Sequence, residues 1–265
     1  MNPKIWGSSG WKFLYWIVFN YPDQPNFSQI HNYKRFFYYI QYVLPCQICC
    51  ENYSDHIIQI PIDSYLINRR QLFLWLLKIQ NLVNLNLNKQ LLNESDIYRL
   101  YFPDKFKNEN LNENLNDQSI KFACWRFLFS LAFGYPEVPS TPLAFFHKRF
   151  FEYLALVIPE PNYKEKSSQL PIDLYLENPK QLFQWVKQLH NSINSKKLGS
   201  HQIMEVYFKN KIEIKKMGTI EGFNSNSNPN PNPNPANINI YSINGHFSLA
   251  LIIILYAIVV SQIAK

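Results

Sequence analysis

Apolar side chains recur at helical spacing along most of the chain, and strand-like alternation is scarce. The clearest stretch is Leu182, Val186, Leu189 and Ile193, with Lys187 and Gln188 turned away, which predicts an amphipathic helix. A first long helix is expected to stop at Tyr21-Pro22 and Pro25, and a second at Tyr135-Pro136 and Pro139, because proline cannot continue a helix. A further helix is expected over about 29–44, with a counterpart over about 143–157. Pro45 then suits a kink or a new helix start. The pattern as a whole predicts an all-α fold.

The pattern comes twice. WKFLYWIVFNYPDQP (residues 11–25) returns 114 positions later as WRFLFSLAFGYPEVP. PIDSYLINRRQLFLWLLKIQNLVN (61–84) returns 110 positions later as PIDLYLENPKQLFQWVKQLHNSIN, with 12 of 24 positions identical, too many for chance. IYRLYF (97–102) matches IMEVYF (203–208). Three blocks in one order imply a tandem duplication, four residues shorter in the second copy and too long in period for a solenoid. The expected architecture is a helical bundle at 1–103, an Asn/Glu-rich linker at 104–118 and a second bundle at 119–210. Each bundle has four helices plus a short one. Two linked copies inherit the same apolar faces, so they are expected to pack as an intrachain pseudo-dimer.

After residue 210 the character changes. Residues 224–240 are Asn/Pro-rich and cannot bury apolar surface, which predicts a disordered spacer over 211–246. Residues 247–264 carry no charge over 18 positions and are expected to form a C-terminal transmembrane helix, making the protein a single-pass membrane protein. Phe13 to Phe19 has the apolarity of a signal peptide, but the same block recurs at residue 125, so it reads as a domain helix and no cleaved signal is expected.

Composition adds little except by exclusion. The formal charge of the 265-residue chain is +7, but Lys and Arg are scattered without a basic run among aromatics, so no nucleic-acid partner is expected. The cysteines say more. Of four, Cys46, Cys49 and Cys50 lie within five residues and Cys124 stands apart, a local cluster rather than a disulfide framework. Cys-x-x-Cys at a helix start suits a reactive disulfide: the sulfurs lie one turn apart, and the helix N-terminus favours the thiolate. Exchange then runs through a mixed disulfide. A zinc site from Cys46, Cys49, Cys50 and His56 is the alternative, weakened by the adjacency of Cys49 and Cys50. A thioredoxin fold is disfavoured by the helical flanks. Leu77, Asn81, Asn84 and Asn88 fall on one helix face, where buried amides need partners or else face water.

Four blocks together carry a family resemblance: WGSSGW (Trp6 to Trp11), YPDQP (Tyr21 to Pro25), LPCQIC (Leu44 to Cys49) and WLLKIQNLVNLNLNK (Trp75 to Lys89). In this order, over about residues 6–102, the sequence resembles the Erv/ALR family of FAD-linked sulfhydryl oxidases, and its composition would suit those of large DNA viruses. The resemblance implies a small helical bundle holding FAD non-covalently, with Cys49 against the isoalloxazine ring and Cys46 exchanging with protein dithiols or a thioredoxin-like shuttle. Electrons would pass to FAD and on to dioxygen, giving hydrogen peroxide. By motif position the implied FAD contacts are Gly7, Trp11, Tyr15, Asn52, Asn81, Asn84 and Lys89, with Tyr98 and Tyr101 as later aromatic contacts. No metal is implied.

The sequence also departs from the family pattern. Tyr15 and Gln80 stand where the family has histidines, the structural disulfide near Trp75 is missing, and there is no second Cys-x-x-Cys. These departures keep open the alternative of a weakly active or inactive scaffold derived from such an oxidase. In the second copy residues 159–163 read Pro-Glu-Pro-Asn-Tyr where the cysteines would be, while Trp125, Trp185 and His190-Asn191 persist. It reads as a pseudo-domain kept for packing. His190 reads as a structural histidine, Cys124 as a buried apolar cysteine and Cys50 as a bystander.

Overall fold

In the computed structural model, which describes residues 1–102 and 118–208, short polar side chains set most helix starts. Asn2, ahead of Pro3, caps α1 (Pro3–Phe19) by accepting from the Lys4 N–H at 3.0 Å. Asn26 and Gln29 close a reciprocal box at the start of α2 (Phe27–Val43). Such side chains satisfy backbone N–H groups that have no partner inside the helix. α3 (Gln47–Gln59) is the exception, because its cap is the sulfur of Cys46. A 3₁₀ turn at Ile62–Tyr65 leads into α4 (Arg69–Asn86), capped by Asn68, and Asn93 and Asp96 box the start of α5 (Glu94–Tyr101).

The second half follows the same plan. It runs α6 (Gln118–Gly134), α7 (Thr141–Val157), α8 (Tyr163–Ser168), a 3₁₀ turn at Ile172–Tyr175, α9 (Pro179–Ile193) and α10 (Ser200–Tyr207). Individual hydrogen bonds recur. Tyr21 Oη donates to the Leu66 carbonyl at 2.8 Å, and Tyr135 Oη to that of Leu176 at 2.8 Å. The Trp75 indole N–H donates to the Ile60 carbonyl at 2.9 Å, and that of Trp185 to Leu170 at 2.8 Å. Buried Tyr and Trp rings need such an outlet for their polar tip. Lys34–Asp63 and Lys148–Asp173 form matching ion pairs.

The two halves meet helix against counterpart, α1 on α6 and α2 on α7. Residues 114 apart touch each other: Phe13 and Phe127 with ring centroids 5.2 Å apart, Phe36 and Phe150 at 5.6 Å, Tyr39 and Tyr153 at 5.6 Å. A residue that meets its own counterpart marks a local two-fold relation. Gly10 lets the helices close in, since a Cβ there would lie 3.2 Å from Phe127 Cδ2. This second interface explains why Phe13 through Val18 are buried without a break. A helix that is apolar all round must be covered on every side. All described residues fall in one compact unit.

The halves differ at one element. α3 has 13 residues and α8 has six. Tyr21 corresponds to Tyr135 at an offset of 114 and Tyr53 to Tyr163 at 110, so four residues between Pro45 and Tyr53 have no counterpart. That is about one helical turn, lost from the stretch where the first half carries Cys46, Cys49 and Cys50. The second half keeps four helices and a short one, with α8 cut to six residues.

One expectation about the fold is corrected. Among the described residues no helix is long and apolar enough to cross a membrane. The expected transmembrane helix at 247–264 lies outside the described residues, as do the spacer at 211–246 and nearly all of the linker at 104–118. α4 also ends earlier than the face of asparagines suggested: it stops at Asn86, and Asn88 lies beyond it in the left-handed region at φ 52°.

Candidate active site

Leu44 and Pro45 end α2, and the chain turns sharply, with the Cys46 N–H donating to the Leu44 carbonyl at 2.8 Å. Cys46 is extended, and its Sγ accepts from the Cys49 N–H at 3.3 Å. Cys46 and Cys49 form a disulfide with Cα atoms 5.1 Å apart. Both are half-buried at the edge of the core, while Ile48 between them is 67% exposed. The pair is therefore a surface disulfide on a helix N-terminus, where backbone N–H groups and the helix dipole favour a thiolate once the bond is opened. The neighbouring Cys50 is tied down: its Sγ donates to the Leu44 carbonyl at 3.3 Å, and burial pushes its thiol up to about 11. Burial also raises the Cys124 thiol. Among the described residues no group of three or more His, Cys, Asp or Glu is placed to hold a metal ion, so the four zinc candidates are not gathered.

Cys49, Asn52 and His56 follow one another turn by turn along α3. His56 is buried, and its Nε2 lies 3.2 Å from Asn86 Nδ2. Its Nδ1 is buried without a hydrogen-bond partner, and burial lowers its pKa, keeping the ring neutral. On α4, Asn84 is buried. On α1, Gly7, Trp11 and Tyr15 are spaced to share a face. A Cβ on Gly7 would meet nothing within 4 Å, and Trp11 is half-buried. Tyr15 is fully buried in a polar relay: its Oη donates to Gln80 Oε1 at 2.8 Å, and Gln80 Nε2 donates to Tyr101 Oη at 2.8 Å. Burial first, and then Tyr101, raises the Tyr15 pKa, so both phenols stay protonated. Phe73, Phe19 and Tyr98 continue this wall as stacked rings.

The Erv1 / Alr family profile matches residues 8–105. A protein of Acanthamoeba polyphaga mimivirus named "Probable FAD-linked sulfhydryl oxidase" is 38% identical over 93 residues, 35% of this chain and 65% of that protein. A protein of Invertebrate iridescent virus 3, whose name likewise assigns FAD-linked sulfhydryl oxidation provisionally, is 32% identical over 101 residues, 38% of this chain and 68% of that protein. The chain belongs to the Erv1 / Alr family. It spans just under two thirds of the first relative's length. No solved structure matches it.

The Erv1 / Alr motif residues fare differently in the structure. Trp11 and Asn52 are half-buried, Asn84 is buried, and Gly7 faces open space. Tyr15 and Tyr101 are joined through Gln80, and Tyr98 is stacked on Phe19 and Phe73. Lys89 is exposed beyond the end of α4. Asn81 is occupied: its Nδ2 donates to the Leu92 carbonyl at 2.8 Å, and its Oδ1 accepts from the Leu92 N–H at 2.9 Å. The counterpart Asn191 clasps Leu198 in the same way at 2.9 and 3.0 Å. The role shared by both halves is holding the loop. His56 was weighed in the sequence only as a zinc ligand, although its place two helical turns after Cys49 was a readable signal.

At the equivalent place in the second half the rings close on each other. His190 packs edge-on against Trp125 at 5.0 Å, its Nδ1 meets Asn191 Oδ1 at 2.9 Å, and its Nε2 meets Tyr207 Oη at 3.0 Å. Burial lowers the His190 pKa. Both of its nitrogens are satisfied within the fold.

Proposed function

We propose that the chain is an FAD-linked sulfhydryl oxidase that forms disulfides in protein dithiols through Cys46 and Cys49. The observation that carries the reading is the surface disulfide at the start of α3 in a member of the Erv1 / Alr family. Both viral relatives are named for this activity. Two observations support a flat cofactor with polar edges here: the open space at Gly7 and the unpartnered His56 Nδ1. A buried polar group without a partner is costly, and a ligand edge would satisfy it. Gly7, Trp11, Asn52, His56 and Asn84 would hold FAD, Lys89 would meet its pyrophosphate as a point charge, and Tyr15, Tyr98 and Tyr101 would back the wall.

The chain's own part is thiol–disulfide exchange. A substrate thiolate attacks Cys46 Sγ, the Cys46–Cys49 bond breaks, and Cys49 leaves as a thiolate. A second substrate thiolate then attacks the substrate sulfur of the mixed disulfide. Cys46 leaves as a thiolate stabilised by the N–H groups of the first α3 turn, and the substrate carries away its new disulfide. The protein has then gained two electrons, and the two protons given up by the substrate thiols go to Cys46 and Cys49 or to solvent. Bound FAD would supply the acceptor for that electron pair, with dioxygen and two protons as the final acceptor giving hydrogen peroxide. Residues 118–208 are read as a degenerate second copy occupying the place of a second subunit, which the self-meeting pairs at Phe13, Phe36 and Tyr39 support.

A visible spectrum of the purified full chain tests the reading, with flavin bands near roughly 450 nm expected, together with dithiothreitol-dependent oxygen uptake. Colourless, folded protein without uptake would replace the oxidase with a scaffold descended from one, the reading that the closed Tyr15–Gln80–Tyr101 relay favours.

A further inference from the structure

The redox turn hangs on Pro45. This buried residue joins the end of α2 to the cap of α3, and the Cys46 N–H bond to Leu44 straddles it. Pro45 rests on the second half of the chain, against Gly134 at the end of α6. A Cβ on Gly134 would overlap Pro45 Cβ and lie 2.5 Å from Pro45 Cα and 3.3 Å from its carbonyl carbon. Most of the nearest atoms are backbone, so a side chain cannot be accommodated by turning a rotamer, and something in the turn must move. The position corresponding to Gly134 in the first half is Asn20, which carries a full side chain. The glycine is therefore confined to the copy whose helix end faces the cysteines.

We propose that Gly134 is a positioning residue for the Cys46–Cys49 pair, through which the cysteine-free half of the chain braces the redox-active turn of the other half. The proposal rests on the thiol-exchange reading above. Pushing Pro45 away moves Leu44 and Cys46 with it, since the 2.8 Å bond of the Cys46 N–H and the 3.3 Å bond of Cys50 Sγ share the Leu44 carbonyl. Cys46 Sγ then leaves the cap position in which it meets the Cys49 N–H. A thiolate at that place loses its hydrogen bond and part of the helix-terminal field, so its pKa rises.

The test needs neither flavin nor turnover. The full chain is reduced, the reductant is removed, and alkylation of Cys46 by iodoacetamide is followed against pH by peptide mass spectrometry, alongside a thermal melt. Gly134→Ala is expected to raise the midpoint of the Cys46 profile by about one pH unit, which slows alkylation near neutral pH about tenfold. Asn20→Ala, at the corresponding place in the first half, should keep the wild-type profile. Pro45→Gly leaves Gly134 in place but removes the braced ring, and it should raise the midpoint in the same direction. A lower melting temperature with an unchanged profile in Gly134→Ala would mean ordinary packing and overturn the proposal. If Gly134→Ala does not fold, an unchanged profile in Pro45→Gly overturns it instead. A protein that lacks flavin but shows the shift would sink the oxidase reading alone.

Discussion

The first and second halves of this chain share a frame and differ in chemistry. Both clasp a loop with an asparagine, Asn81 on Leu92 and Asn191 on Leu198, and both hang a tyrosine and a tryptophan on corresponding backbone carbonyls. Beneath that frame, the first half has a polar relay of Tyr15, Gln80 and Tyr101, and the second has Phe129, His190 and Tyr207 packed ring against ring. The first half also has the extra turn that carries a disulfide. The contrast teaches that packing and chemistry make separable demands here. The frame residues bond within their own half, and the interface rests on other shared positions such as Phe13–Phe127 and Phe36–Phe150. The cysteine turn lies at the edge of the core, and its absence from the second half leaves the interface intact.

The largest effect should come from the element the halves do not share. Cys46→Ser and Cys49→Ser should each bring dithiothreitol-dependent oxygen uptake to background. Cys46→Ser should leave Cys49 able to give a charge-transfer band with flavin, and Cys49→Ser should remove it. Undiminished uptake in either variant would end the assignment. Cys124→Ser, in the other half, should leave uptake in place.

Next comes the interface. Phe36→Ala and Phe150→Ala should each cost about 3–5 kcal/mol of stability, measured by denaturant unfolding. The double variant should cost less than the sum by roughly 0.5–3 kcal/mol, because the two rings touch. Strict additivity, or two separate transitions, would mean that the halves behave as independent beads.

A smaller asymmetry concerns pH. His147 in α7 is buried, and burial lowers its pKa from the ordinary 6.5 to about 4, while its counterpart in α2 is Tyr33. The unfolded chain binds this proton between those values and the folded chain does not. Stability is therefore undiminished above pH 6.5 and lost as pH falls toward 4, by on the order of 3 kcal/mol. His147→Gln should flatten that part of the stability–pH curve, and an unchanged slope would show that other groups carry it.

The smallest expected effect sharpens the comparison most. Asn81→Ala and Asn191→Ala should each cost about 1–3 kcal/mol, since each leaves a leucine's backbone groups unpaired. If Asn81 only holds its loop, both variants should keep the flavin spectrum. Loss of colour in Asn81→Ala alone would return Asn81 to the cofactor contacts.

Much of this was legible in the sequence. The helices around Tyr21-Pro22 and Tyr135-Pro136, the offset of 114 shrinking to 110 and the pairing of Cys46 with Cys49 all follow from local pattern, because proline, helical period and a three-residue cysteine spacing act over one or two turns. Other features depended on residues far apart in the chain. Asn81 sits in a family motif, yet its amide is used by Leu92. The Tyr15 and Gln80 departures read as two separate losses, whereas in space they form one relay with Tyr101. The membrane helix expected from the run at 247–264 has no counterpart among the described helices, and hydropathy in a single window could not decide it. Gly134 gave no signal at all in the sequence, 89 positions away from Pro45. Periodicity and spacing specify which segments are helices and which cysteines can meet. Only the tertiary structure decides which backbone a glycine must let pass, because that depends on how two helices from different halves approach each other.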